Sequence, residues 1–181
     1  ESIMEKCLKP TLYQGDVFAS RNPQGLGSAI LLAQRLKSLD GKAEYGHTGI
    51  ILNAAGDTFE ALWTIKSQKF FEGYKGDQVL VARWRGMDGN SFRRGFDAVV
   101  PQAGRGYPWY RLLLHLIGLP KIHVDGQEVC SELTAHFLVA AGAQILSGKR
   151  WAGVTPDYLV DEWRISKHFD IVFEGVLCGG L

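Results

Sequence analysis

The sequence predicts an α+β fold, with an antiparallel sheet drawn mainly from the first half of the chain and helices concentrated in the second. Three observations carry this expectation. Short runs rich in Val, Ile, Phe and Trp, bounded by glycine or Asn/Asp turns, recur through the first half. Longer runs with apolar residues three and four positions apart dominate the second half. The 22 glycines are spread along the chain, as many turns require, with no repeat or low-complexity linker between them. A length of 181 residues suits one domain, 1–181, with a single core.

The elements follow in order. Residues 15–19, Gly-Asp-Val-Phe-Ala, read as a short strand after a turn, with Asp16 as a turn or cap residue. Residues 28–39 carry a helical stripe through Ile30, Leu31, Gln34 and Leu36, with Ser28 as N-cap. Residues 49–52 are a strand core, 53–57 a turn of small and polar residues, and 58–63 the returning strand of a hairpin. Residues 78–84 form a third strand between the Lys75-Gly76-Asp77 turn and Gly86. Helices are expected over 91–100, stopped by Pro101, and over 109–117, stopped by Gly118 and Pro120. The clearest helix begins near Cys130, which lies at or just before its N-terminus, and runs through Leu133, Phe137 and Ala141 to a Gly142 cap. Thr155 as N-cap and Pro156 at the first helical position open a last helix, and 171–176 read as a closing strand.

Charge and hydropathy narrow the function classes. Twenty Lys and Arg stand against 19 Asp and Glu, scattered but for Arg83, Arg85, Arg93 and Arg94, so nucleic acid is not an expected partner. The longest apolar run, 112–119, is broken by His115 and is far shorter than the ~20 residues of a bilayer span. The chain opens on Glu1, which reads as a processed form or an excised domain. Its three cysteines, Cys7, Cys130 and Cys178, lack the close spacing of a zinc site, and no metal or organic cofactor is expected. A Cys7–Cys178 bridge would tie the two ends together; the alternative is a free thiol near each terminus.

Chemistry points to Cys130. At a helix N-terminus, unpaired N–H groups and the positive end of the dipole favour a thiolate, the reactive form. The bland alternative is a small core residue beside Val129 and Leu133. A thiolate nucleophile needs a base, and five histidines are available. His136 lies six residues along the same helix and faces elsewhere, His115 sits in an apolar helix, and His168 has no distinctive context. His123, in the loop before Cys130, is the runner-up. His47 has the best surroundings, because Tyr45, His47, Gly49 and Ile51 alternate onto one strand face and Glu60 lies on the next strand. If the loop closes between Asn53 and Ala54, His47 sits opposite Glu60. A loop two residues longer makes them diagonal neighbours about 7 Å apart, and one four residues longer separates them. A carboxylate at Glu60 would fix the imidazole tautomer and stabilise its protonated form; the alternative is a strand residue facing water.

Six segments, in this order, carry a resemblance: Gly15-Asp16-Val17-Phe18, Tyr45-Gly46-His47-Thr48-Gly49-Ile50, Phe59-Glu60-Ala61, Val79-Leu80-Val81-Ala82-Arg83, Gly106-Tyr107-Pro108-Trp109-Tyr110 and Val129-Cys130-Ser131-Glu132-Leu133. Together they resemble the YiiX/YebB-like family, in the circularly permuted branch of the NlpC-type, papain-like cysteine peptidases, to which the lecithin retinol acyltransferases are related. Over about residues 15–160, the resemblance implies a permuted papain-like fold with the nucleophile at a helix N-terminus. It implies Cys130 as nucleophile, His47 as general base and Glu60 as the orienting group, with permutation explaining why His47 precedes Cys130. The oxyanion would meet the backbone N–H of Cys130. Tyr45, Tyr107 and Trp109 are weaker candidates for oxyanion or substrate contact, and for Tyr45 a packing aromatic is the preferred reading. The family's usual aspartate after a Gly-x-Pro-Tyr stretch is replaced here, since Trp109 and Tyr110 follow Pro108. Asp16 and Glu132 read as structural, Glu132 complementing the helix dipole.

The implied activity is a thiol-dependent hydrolase cutting an amide bond through a thioester. Cell-wall peptides (peptidoglycan) are the first substrate class, with a periplasmic or secreted setting, a secreted antibacterial toxin among them, and an inhibitor or immunity protein as partner. The second expectation is lipid acyl chemistry, a phospholipase or acyltransferase, for which residues 107–119 would line an acyl site or touch a membrane transiently. The third is a binding domain without catalysis.

Overall fold

The computed structural model describes residues 9–21, 44–61, 65–104, 130–145 and 154–178. Its centre is one antiparallel sheet in the order β4-β3-β2-β1-β5-β6. The strands are β1 (Val17–Ser20), β2 (His47–Ile51), β3 (Asp57–Ala61), β4 (Ile65–Lys69), β5 (Gln78–Trp84) and β6 (Phe169–Val176). Among the described residues four α-helices accompany them: α1 (Phe70–Gly73), α2 (Gly89–Val99), α3 (Cys130–Ala141) and α4 (Pro156–Ile165), with a 3-10 turn at Val100–Gln102 after α2. Among the described residues this is the expected α+β arrangement, an antiparallel sheet with its longer helices late in the chain. The expected helices over 28–39 and 109–117 lie outside the described residues.

Local chemistry explains where elements start and stop. The β2–β3 turn is held by Asn53, whose side-chain oxygen accepts from the N–H groups of Ala55 (3.0 Å) and Asp57 (3.2 Å). Gly56 adopts φ 83° there, a region that favours glycine. This turn sets the register Ile50↔Phe59 and Ile51↔Thr58. The helix expected from residue 91 begins at Gly89, because Asp88 is its cap and accepts from Ser91 N–H at 2.7 Å. Helix α3 runs over the expected span, and Gly142 (φ 108°) turns the chain so that Ala143 N–H reaches Leu138 C=O at 2.9 Å. Thr155 caps α4 by accepting from Tyr158 N–H, with Pro156 at the first helical position. The closing strand begins two residues before the expected 171, at Phe169. Strand β4 and the single turn α1 are additions to the sequence reading. The β4 sequence, Ile-Lys-Ser-Gln-Lys, is mostly polar, and it becomes a strand by pairing with β3 along the sheet edge.

Alternation divides the sheet into two apolar faces. Val17, Ala19, Ile50, Phe59, Leu80 and Ala82 join the larger cluster with Leu133, Phe137 and Leu138 of α3 and Leu159 and Trp163 of α4. Phe18, Ile51, Val79 and Val81 pack on the other side with Leu12, Phe70, Tyr74 and Leu177. Asp16, buried before β1, accepts two hydrogen bonds from Arg83, both 2.8 Å, and one from Tyr13 N–H at 2.8 Å, so it is a structural anchor as expected.

Several contacts fix α3 against its neighbours. A Cβ on Gly95 of α2 would lie 2.7 Å from the Phe137 carbonyl, so the glycine permits this close helix crossing. Arg94 donates to the terminal carbonyl of Ala141 at 2.9 Å. The Thr134 and Thr48 hydroxyls bond at 3.1 Å, tying α3 to β2, and Ser131 Oγ donates to Val154 C=O at 2.6 Å. Cys178 is disulfide-bonded, which corrects the free-thiol alternative for that residue, whereas Cys130 is free and buried; Cys7 lies outside the described residues. No helix among the described residues is long and apolar enough to cross a membrane.

Candidate functional site

His47 begins β2 and Glu60 lies near the end of β3. Continuing the observed register places Glu60 opposite Gly49, so His47 and Glu60 are diagonal neighbours, the second of the three registers considered. Their side chains nevertheless meet, His47 Nε2 to Glu60 Oε2, at 2.7 Å. Gly49 makes this reach possible. A Cβ there would sit 3.1 Å from Glu60 Cγ and 2.6 Å from the Phe18 ring, so the missing side chain is the space that Glu60 and Phe18 occupy.

Glu60 does not face water: it is fully buried. A buried carboxylate needs partners, and four donors surround this one. His47 Nε2 and the Tyr74 hydroxyl meet Oε2. The Thr58 hydroxyl and Gln68 Nε2, the latter at 2.9 Å, meet Oε1. That fills the roughly four acceptor positions a carboxylate offers. Burial favours the neutral acid, but the His47 interaction and the hydroxyl donors outweigh it and hold Glu60 below the usual carboxylate range. Burial also works against a charged His47. The interactions of the ring with Cys130 first, and with the Glu60 carboxylate second, overcome that cost, and the imidazole is raised to about 10. Cys130, the first residue of α3, thus lies near enough to influence the ring that Glu60 holds. Both are nearly enclosed, with His47 8% and Cys130 4% exposed.

Sequence reasoning singled out Cys130, His47 and Glu60, and the structure brings their side chains together. It missed the three residues around Glu60. Thr58 was legible as a residue two places along the same strand. Gln68 and Tyr74 were not, because β4 and α1, which deliver them, were not foreseen. Burial next to Glu60 raises the Tyr74 phenol well above its ordinary value, so it remains a donor, and its ring stacks near His47 at 6.1 Å and 19°. Ser20 pairs with His47 across the β1–β2 ladder; its buried hydroxyl has no hydrogen-bond partner among the described residues.

Tyr45 precedes β2 and is buried in the larger core cluster. Its hydroxyl donates to Glu174 at 3.0 Å, beside Arg164, so the bland reading of a packing aromatic accounts for it. Tyr107, Trp109, His115 and His123 lie outside the described residues. His136 sits mid-helix in α3, and His168 lines a shallow cleft of about 260 Å³ with Trp84, Gly86, Gly142 and Gln144. Glu132 is fully buried in the first turn of α3.

No protein-family model and no curated protein matches this chain. Among solved structures, the chain is similar to the crystal structure of the metalloprotein YiiX (DUF1105) from Escherichia coli O157:H7. The TM-score is 0.55 at 17% identity, covering 93% of this chain and 89% of that one. The likeness is one of fold: this chain has a YiiX-like α+β architecture.

Proposed function

We propose that this protein is a cysteine-dependent hydrolase of the permuted papain-like kind, cutting an amide bond with Cys130 as nucleophile, His47 as general base and acid, and Glu60 as the group that orients His47. The observation that carries the reading is the buried His47 ring, bonded to the fully buried Glu60 carboxylate and close enough to the buried Cys130 for that side chain to raise it. A helix start for the thiol and a saturated carboxylate for the imidazole are the conditions a thiolate–imidazolium pair needs.

In this mechanism the Cys130 thiolate attacks the amide carbonyl and the C–S bond forms. The developing oxyanion is met by the backbone N–H of Cys130, one of the unpaired donors of the α3 N-terminus. His47 gives its proton to the amide nitrogen as the C–N bond breaks, leaving a thioester. Water then attacks, His47 takes its proton, and the C–S bond breaks to release the acid and restore the thiolate. Glu60, bonded to Nε2, keeps Nδ1 as the atom that exchanges the proton.

The structural neighbour is a metalloprotein. Among the described residues of this chain, no three His, Cys, Asp or Glu side chains gather into a cation site. The Glu60 oxygens are already occupied by His47, Tyr74, Thr58 and Gln68. The described residues of this site do not fit a resident metal.

Cell-wall peptides are the substrate class we favour. The disulfide at Cys178 suits an oxidising, extracytoplasmic setting, where such a substrate is found. The test is product analysis by mass spectrometry after incubating the protein and its Cys130→Ala variant with peptidoglycan fragments and, separately, with phospholipid vesicles. Release of a cut peptide that depends on Cys130 is the expected result. Loss or transfer of a fatty acyl chain would place the same three residues in lipid acyl chemistry, and activity retained in Cys130→Ala would overturn the mechanism.

A further inference from the structure

Glu60 can orient His47 only if the carboxylate is itself held still. His47 occupies one of its oxygens at 2.7 Å, and the Tyr74 hydroxyl donates to that same oxygen. Gln68 Nε2 then spans the arrangement, donating to the other oxygen at 2.9 Å and to the Tyr74 hydroxyl at 3.3 Å. Gln68, Tyr74 and Glu60 thus close a ring of hydrogen bonds around the carboxylate. Tyr74 also lies alongside His47, with ring planes 19° apart and centroids 6.1 Å apart, and the Phe18 and Phe70 rings pack against it at 5.0 and 5.7 Å. An aromatic so enclosed has little rotational freedom, so its hydroxyl is a fixed donor rather than one that adapts.

We infer that Tyr74, with Gln68 as its brace, is a positioning residue for the reaction: it acts through Glu60, keeping that carboxylate ionised and aimed at His47, and does not touch substrate. The inference rests on the proposed Cys130–His47–Glu60 chemistry and deepens it. The titratable groups facing His47 among the described residues are Glu60 from β3, Tyr74 from the segment after α1, and Cys130 from α3. β1 presents Phe18 and Ser20 to it, neither of which titrates.

The direction of the effect follows from the donor count. Tyr74→Phe keeps the ring and deletes one donor to a buried anion. Glu60 then takes up a proton at higher pH, and the acid limb of Cys130 reactivity moves upward in pH.

The experiment measures the alkylation rate of Cys130 by iodoacetamide between pH 4 and 9, read by peptide mass spectrometry, in the wild type, Tyr74→Phe and Gln68→Ala. Losing a hydrogen bond to a charged group lowers the rate on the acid limb by about tenfold or more, with a smaller shift in the same direction for Gln68→Ala. Gln68 is only half-buried on an edge strand, so its variant still tests the brace if Tyr74→Phe does not fold. Profiles for both variants that superimpose on the wild type, with Cys130 still rapidly labelled near pH 6, would overturn the positioning role and leave the catalytic reading standing. A wild-type Cys130 no more reactive near pH 6 than an ordinary thiol would overturn both.

Discussion

His47 Nε2 and Glu60 Oε2 lie 2.7 Å apart although the two residues are not opposed in the β2–β3 ladder. Diagonal neighbours stand about 7–8 Å apart at the backbone, so the side chains must lean toward each other. They do so beside Gly49, where no side chain intervenes.

Gly49→Ala is therefore expected to be costly. Its methyl would sit 2.6 Å from the Phe18 ring and 3.1 Å from Glu60 Cγ, and both neighbours are fully buried. Overpacking of this kind costs about 1–3 kcal/mol. Urea unfolding should give that loss, accompanied by slower Cys130 labelling near pH 6. A stability and labelling rate equal to the wild type would mean that Glu60 does not need the gap.

The buried cluster of His47, Cys130 and Glu60 makes stability depend on pH in two windows. His47 is raised from its ordinary 6.5 to about 10, so its contribution is complete below 6.5 and is lost as pH climbs through 10. Glu60 is lowered, so its contribution is present above its ordinary 4.5 and is lost as pH falls through its folded value. Urea midpoints should be highest between these regions and fall on both sides. Stability that rises steadily from pH 7 to 10 would contradict the assigned charges.

Asp16→Ala should destabilise the fold by about 3 kcal/mol, the lower end for breaking a buried ion pair, because the Arg83 side chain keeps 29% exposure. Arg83 loses two hydrogen bonds at 2.8 Å and Tyr13 N–H loses its acceptor. Denaturant unfolding measures the loss, and a change below about 0.5 kcal/mol, as for an ordinary surface substitution, would count against the anchor.

Ser20→Ala should act in the opposite sense. The hydroxyl is fully buried beside His47 and has no partner among the described residues. A buried group left unsatisfied costs about 1–3 kcal/mol, so its removal should stabilise the protein by up to about 1 kcal/mol in thermal unfolding. Destabilisation instead would show that the hydroxyl is satisfied in solution, by water or a ligand.

What the sequence determined by itself was the set of local decisions. Strands β1, β2, β3 and β5, the Asn53 turn, the Gly142 terminus of α3 and the Thr155-Pro156 start of α4 all follow from residues within a few positions of the element. Cys130 at a helix start and His47 on a strand were legible for the same reason. The tertiary structure decided the rest. A hairpin sequence allows several registers, and only the closed turn selects the one that makes His47 and Glu60 diagonal. Strand β4 has little apolar pattern and exists by pairing with β3, so Gln68 and Tyr74 could not be placed beside Glu60 from sequence. Tyr45 alternates with His47 in the sequence, yet it lies just before β2, and packing gives its hydroxyl to Glu174, 129 residues away. Local propensity is written in neighbouring residues; which buried polar groups satisfy one another is settled only when distant segments compete for the same interior space.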